Sequence, residues 1–123
     1  MIDLSKYTPA IQVKLEPGIY LFSDGSARGK TYLCSLLHKL KNRERVDGHR
    51  YPDEFKPAEL LDNAKRDLVF LDRYDMYCGK GANEIISFAQ NGGVVLIDCK
   101  SHSLFLPVEP CLIRMYQDRL VVT

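Results

Sequence analysis

Three short runs constrain this chain most: "GIYLF" (18 to 22), "DLVFLD" (67 to 72) and "VVLID" (94 to 98). Each is almost wholly apolar, with no alternation, the pattern of a strand buried on both faces. Between and around them lie stretches with helical spacing. Leu33, Leu36, Leu37 and Leu40 stand at i, i+3, i+4 and i+7 of a helix beginning at about Gly29. "KPAELLDNAKR" fits a short helix with Pro57 near its first turn and Leu60, Leu61 and Ala64 facing inward. "ANEIISFAQNGG" fits another, capped by Asn83 and ended by Asn91-Gly92-Gly93. Apolar strands alternating with amphipathic helices predict an α/β fold, a three-layer sandwich with a mainly parallel central sheet. In such sheets the carboxyl ends of the strands line the ligand crevice, so Phe22-Ser23, Asp72 and Asp98 are expected to point there.

The remaining segments are expected at the margins. "IQVKL" (11 to 15) alternates and precedes the turn signal Glu16-Pro17-Gly18, which suggests a short strand hairpinned onto the next. "NRERVDGHRYPDEF" (42 to 55) is polar; the most it suggests is a short edge strand near Arg45 to Val46. "CLIRMY" and "RLVVT" flank Gln117-Asp118 and read as a terminal hairpin. At 123 residues the chain is read as one domain, residues 1–123.

Seventeen basic against sixteen acidic side chains exert no global pull toward nucleic acid or membrane. Nucleic acid is therefore not an indicated partner, although Lys39, Lys41, Arg43 and Arg45 make a basic helix end. No apolar run approaches membrane-spanning length, and "MIDLSKYTPAIQ" lacks the basic and apolar regions of a signal peptide. Cys34, Cys78, Cys99 and Cys111 form no C-x-x-C pair and read as buried, reduced thiols. Together these features suggest a cytoplasmic protein.

The chemistry is concentrated in "FSDGSARGKTYLC" (22 to 34). Gly29-Lys30-Thr31 end a near match to G-x-x-x-x-G-K-[ST], with Asp24 where the first glycine should be and Gly25 one place late. Such a loop works because consecutive backbone N–H groups form a concave nest at a helix N-terminus, where the dipole favours an anion. Glycine allows close approach, the lysine adds a point charge at the outer phosphates, and the hydroxyl binds Mg²⁺. Arg28 adds a further positive charge.

On these residues the chain resembles the P-loop NTPases. "DGSARGKT" looks like Walker A with its first glycine replaced; "DLVFLD" looks like Walker B; and "VVLID" is similar to the inserted strand of the RecA/AAA-like branch. The resemblance implies that Asp24, Gly25, Ser26, Ala27, Arg28, Gly29, Lys30, Thr31 and Tyr32 bind ATP or ADP. It implies that Thr31 and Asp72 hold Mg²⁺, and that Asp98 or Ser101 senses the γ-phosphate. Two departures bear on function. Asp24 tolerates a left-handed turn, but its charge must point away from the phosphates or meet Arg28. Arg73 stands where the branch usually has a glutamate that polarises water, and arginine is no general base at ordinary pH. Asp75 is the remaining candidate for that role, beside Asp72.

Two functions are therefore expected as alternatives. One is an ATP-binding domain, at most a weak ATPase, completed by homo-oligomerisation or a larger protein partner because the chain has no room for a lid domain. The other is a P-loop-fold interaction protein that no longer uses nucleotide, similar to the small inhibitors of host proteins made by phages and mobile elements. Lys80, His102 and Arg114 read as surface residues on either view.

Overall fold

The computed structural model describes residues 2–3, 14–22, 45–61, 66–99, 106–116 and 119–122, with 2–3, 114–116 and 119–122 as backbone alone. Its strands are β1 (Ile2–Asp3), β2 (Lys14–Leu15), β3 (Gly18–Phe22), β4 (Val46–Arg50), β5 (Leu68–Asp72), β6 (Val94–Asp98), β7 (Cys111–Tyr116) and β8 (Arg119–Val122). Between them lie the 3₁₀ turns Pro57–Leu61 and Tyr74–Tyr77 and the helix α1 (Ala82–Gln90). Six strands form one sheet in the order β4-β5-β6-β3-β7-β8; the first five are mutually parallel and β8 is antiparallel to β7. The chain is thus α/β with a mainly parallel sheet.

The apolar runs form the interior strands for the expected reason. Leu68–Leu71 and Val94–Ile97 are all fully buried, so both faces of β5 and β6 are covered. On one face Val69, Leu71, Val95 and Ile97 pack with Ile19, Phe55, Leu60, Ile85 and Phe88 from β3, the 3₁₀ turn and α1. The steps β4→β5 and β5→β6 run in the same direction across the sheet. With one crossover hand, their connections lie on the same face. Gly81 and Gly93 allow the close fit. Gly81 has φ 76 and a Cβ there would come 2.6 Å from Pro57, while a Cβ at Gly93 would overlap the buried ring of Phe88.

Several local expectations are corrected. β2 pairs with β1 rather than hairpinning onto β3, whose two sides are already taken by β6 and β7. The edge strand is a full Val46–Arg50, not a fragment near Arg45. Pro57–Leu61 is a 3₁₀ turn, and its tighter repeat buries Leu60 but leaves Leu61 57% exposed. α1 is entered through left-handed Gly81, whose carbonyl accepts the Ile85 N–H, so Asn83 sits inside the first turn and caps nothing. Cys78 and Cys111 are exposed thiols and Cys99 is half-buried; Cys34 lies outside the described residues. Among the described residues no helix is long and apolar enough to cross a membrane.

Candidate functional site

The strand order reverses around β3. From β3 the chain goes to the far edge at β4, steps back through β5 and β6, and then passes β3 to reach β7. Connections leaving β3 and β6 therefore run in opposite directions, the arrangement at whose carboxyl ends open parallel sheets form ligand crevices. Phe22 and Asp98 are the last residues of those two strands.

Register places a row of charges along these ends. Arg50 on β4 is the partner of Asp72 on β5, and Asp72 is the partner of Asp98 on β6. Partners on adjacent parallel strands project to the same side of the sheet, about 5 Å apart. Two neighbouring carboxylates repel, and the row is relieved from its other end. Arg50 Nε donates to Asp72 Oδ2 at 2.6 Å. The backbone holds this pair in place: the Tyr51 N–H donates to the Asp72 carbonyl, and the Asp53 N–H donates to the Arg50 carbonyl.

Beyond Asp72 the strand stops at Arg73, which is left-handed at φ 58, ψ 41. Such a conformation is costly for a residue with a long side chain. It turns the chain into the Tyr74–Tyr77 turn and brings Arg73 Nε to 3.5 Å from Asp75 Oδ1. This is an ion pair without hydrogen-bond geometry, and neither atom has a hydrogen-bond partner among the described residues. Asp75 also neighbours Cys99, whose side chain packs on the α1 side of the sheet. Burial pushes the Cys99 thiol up to about 12; the Asp75 and Asp98 carboxylates act in the same direction, while the Asp75 N–H and Arg73 pull back. The Asp75 carboxylate thus faces Arg73 through charge rather than a hydrogen bond, and it is the Asp75 backbone N–H that meets Cys99. Lys80 is exposed, as expected.

A second polar cluster lies on the same edge strand and was not expected from sequence. Asp47 and His49 are both buried on β4. Asp47 Oδ1 accepts the Gly48 N–H at 2.8 Å, and Oδ2 lies 3.2 Å from His49 Nε2 and 3.3 Å from Arg66 Nε. His49 Nδ1 lies 3.2 Å from the Glu54 carbonyl, so only a doubly protonated ring donates to both oxygens at once. Arg66 also donates to the Glu59 carbonyl. Burial raises the Asp47 carboxyl, but the His49 hydrogen bond and charge, the Gly48 N–H and Arg66 outweigh it and hold the carboxyl below its ordinary value. The signal available in sequence was the two-residue spacing of Asp47, His49 and Tyr51 inside a segment that otherwise has loop composition.

Of the residues expected from sequence, Asp72 and Asp98 are brought side by side, and Asp75 is turned toward Arg73 and Cys99. Asp24, Gly25, Ser26, Ala27, Arg28, Gly29, Lys30, Thr31, Tyr32 and Ser101 lie outside the described residues. Arg50 is the addition that sequence reasoning missed. The described residues do not compose a divalent-cation site: Arg50 covers Asp72 Oδ2, and no group of three or more His, Cys, Asp or Glu side chains among them is placed to hold a metal. No protein-family model, curated protein or solved structure matches this chain.

Proposed function

We propose that this chain is a P-loop domain that binds an ATP-like nucleotide and hydrolyses it slowly or not at all. One observation carries the reading. β6, ending in Asp98, is inserted between β3, which leads into Asp24–Thr31, and β5, which ends in Asp72. That arrangement is what the likeness of "VVLID" to the inserted strand of the RecA/AAA-like branch calls for. The phosphate loop in this reading follows β3 at the reversal of strand order, where crevices form in open parallel sheets. In this reading the backbone of residues 24–32, with Arg28 and Lys30, holds the phosphates, and Asp98 or Ser101 faces the outermost one.

Weak chemistry follows from Arg73 and Asp75. General-base catalysis commonly contributes about 10²–10⁴-fold. Here the residue after Asp72 is a cation, and the nearest substitute carboxylate is held against it. Millimolar ATP or ADP should raise the melting temperature of the wild type and leave Lys30→Ala unmoved. Ligand at a hundredfold its Kd stabilises by about 2.7 kcal/mol. No shift with any nucleoside di- or triphosphate sinks the nucleotide reading. ATP turnover should stay near background; turnover near one per second, lost in Asp72→Ala, overturns the slow-hydrolysis part.

A second reading is favoured by the same two pairs. Arg50 against Asp72 and Arg73 against Asp75 leave both candidate catalytic carboxylates compensated by guanidinium. That is the state expected of an interaction protein that has abandoned nucleotide chemistry, such as a phage or mobile-element inhibitor of a host protein. Retention of a protein partner by Lys30→Ala, with no nucleotide shift in the wild type, selects this reading.

A further inference from the structure

We propose that Asn91-Gly92, between α1 and β6, is a self-modification site. The pair cyclises to a succinimide that water opens to aspartate or isoaspartate, at a rate set by opening of the last turn of α1. The proposal does not rest on the nucleotide reading.

Of Asn42, Asn63, Asn83 and Asn91, only Asn91 is followed by glycine. A glycine nitrogen has no neighbouring side chain to hinder its attack. The Gly92 nitrogen adds to the Asn91 side-chain carbonyl carbon, the bond from that carbon to Nδ2 breaks, and ammonia leaves with the former Gly92 amide proton. Water then adds to one of the ring carbonyls. Opening at the side-chain carbonyl gives aspartate with the main chain intact. Opening at the main-chain carbonyl leaves Gly92 joined through the side chain, as isoaspartate.

Asn91 and Gly92 are both exposed, so water reaches them. In the closed fold each reacting group is engaged elsewhere. Asn91 Nδ2 donates to the Ser87 carbonyl at 2.9 Å and to Ser87 Oγ at 3.3 Å. The Gly92 N–H donates to the Ala89 carbonyl at 3.3 Å, and the Gly93 N–H to the Phe88 carbonyl at 2.9 Å. These two backbone bonds are the Schellman pair that ends a helix on a left-handed residue, here Gly92 at φ 99. Attack requires the Gly92 nitrogen to leave Ala89 and the Asn91 side chain to swing away from Ser87. Both happen when the last turn frays, a local opening that costs far less than global unfolding.

The products do not suit the place where they form. Aspartate at 91 sets a carboxylate against the Ser87 carbonyl and puts negative charge at the negative pole of α1. Isoaspartate lengthens the main chain where there is no slack. A Cβ on Gly93 would already overlap the Phe88 ring. The Gly93 carbonyl accepts from the Gly18 N–H, and the Val94 N–H donates to the Asp67 carbonyl, each at 3.0 Å. β6 is pinned to both neighbours from its first residue, so the added length is taken up by unwinding α1.

The test is peptide mapping by mass spectrometry on protein aged at neutral pH, folded and in denaturant, with an enzymatic assay for isoaspartate. The amide-to-acid mass change should appear at Asn91 before any other asparagine and should be accompanied by isoaspartate. Unfolding should speed it at least about tenfold, because the hydrogen bonds from Asn91 Nδ2 and the Gly92 N–H guard the folded site. Asn91→Gln keeps an amide but needs a larger ring, and should abolish the change at this position. Asn91→Asp reproduces one product and should melt below the wild type; the separated isoaspartyl form should melt lower still. No conversion at Asn91 in aged folded protein, equal rates folded and in denaturant, or an isoaspartyl form that melts with the wild type each overturns the proposal.

Discussion

β4 and β6 both lie against β5 in parallel register, yet β6 buries Val94–Ile97 whereas β4 buries an aspartate and a histidine. The central strand draws on apolar area, at about 1.5–3 kcal/mol for each fully buried aliphatic side chain. That gain needs no particular partner. The edge strand has removed charge from water, and its stability depends on each group that answers it: His49, Gly48 and Arg66 around Asp47. An apolar strand at the edge would invite another chain. A polar one avoids that, but its stability becomes conditional on partners and on pH.

The largest expected effect comes from breaking the conditional side. Asp47→Ala leaves Arg66, only 11% exposed, without its buried carboxylate. Breaking such a pair costs about 3–5 kcal/mol, measured by urea unfolding at pH 7. Leu96→Ala in the central strand should cost about 2–5 kcal/mol, and the two losses should part in acid. Because the Asp47 carboxyl is lowered in the fold, its contribution is complete above its unfolded value of about 4 and disappears as pH falls through the folded value. The Asp47→Ala deficit should therefore shrink below about pH 4, while the Leu96→Ala deficit stays constant. An acid-insensitive Asp47→Ala deficit would dissolve the contrast.

A smaller effect is expected in alkali. Cys99 is raised from 9.0 to about 12, and Tyr74 and Tyr77 from 10.0 to about 12, burial being the largest cause in each case. The fold favours their neutral forms, so their contribution is full below the unfolded values and lost as pH rises through the folded ones. Stability should decline from about pH 9 toward 12, and Cys99→Ser should remove the earliest part of that decline. Cys99 should also alkylate more slowly at neutral pH than exposed Cys78 and Cys111. The smallest effect is reserved for the connection between edge and centre. Leu61→Ala, at a side chain left mostly in water, should change stability by no more than about 0.5 kcal/mol.

The same contrast explains what was legible in the sequence. "GIYLF", "DLVFLD" and "VVLID" identified themselves because a strand buried on both faces is apolar whatever its neighbours are. Asp72 and Asp98 were legible as strand-end carboxylates for that reason. β4 was not, because burial of Asp47 and His49 requires Arg66 from beyond the 3₁₀ turn, and locally the segment has the composition of a loop. Arg50 was invisible in the same way. Its partner stands 22 residues away, and only the pairing of β4 with β5 aligns them. The helix start failed at Asn83 because a left-handed glycine achieves the entry that a capping side chain usually provides.

The outer margin of β4 has one more consequence. The Arg45 carbonyl accepts from the β5 side and the Tyr51 N–H donates to it, so the odd positions of β4 face β5 and Gly48 and Arg50 face away. Two of those outward groups are answered from within the chain: the Gly48 N–H by Asp47 Oδ1, and the Arg50 carbonyl by the Asp53 N–H. A neighbouring chain that sought to extend the sheet past β4 would find these two positions already spoken for, so burying charge on the edge strand and closing the edge to a second chain are done by the same few groups.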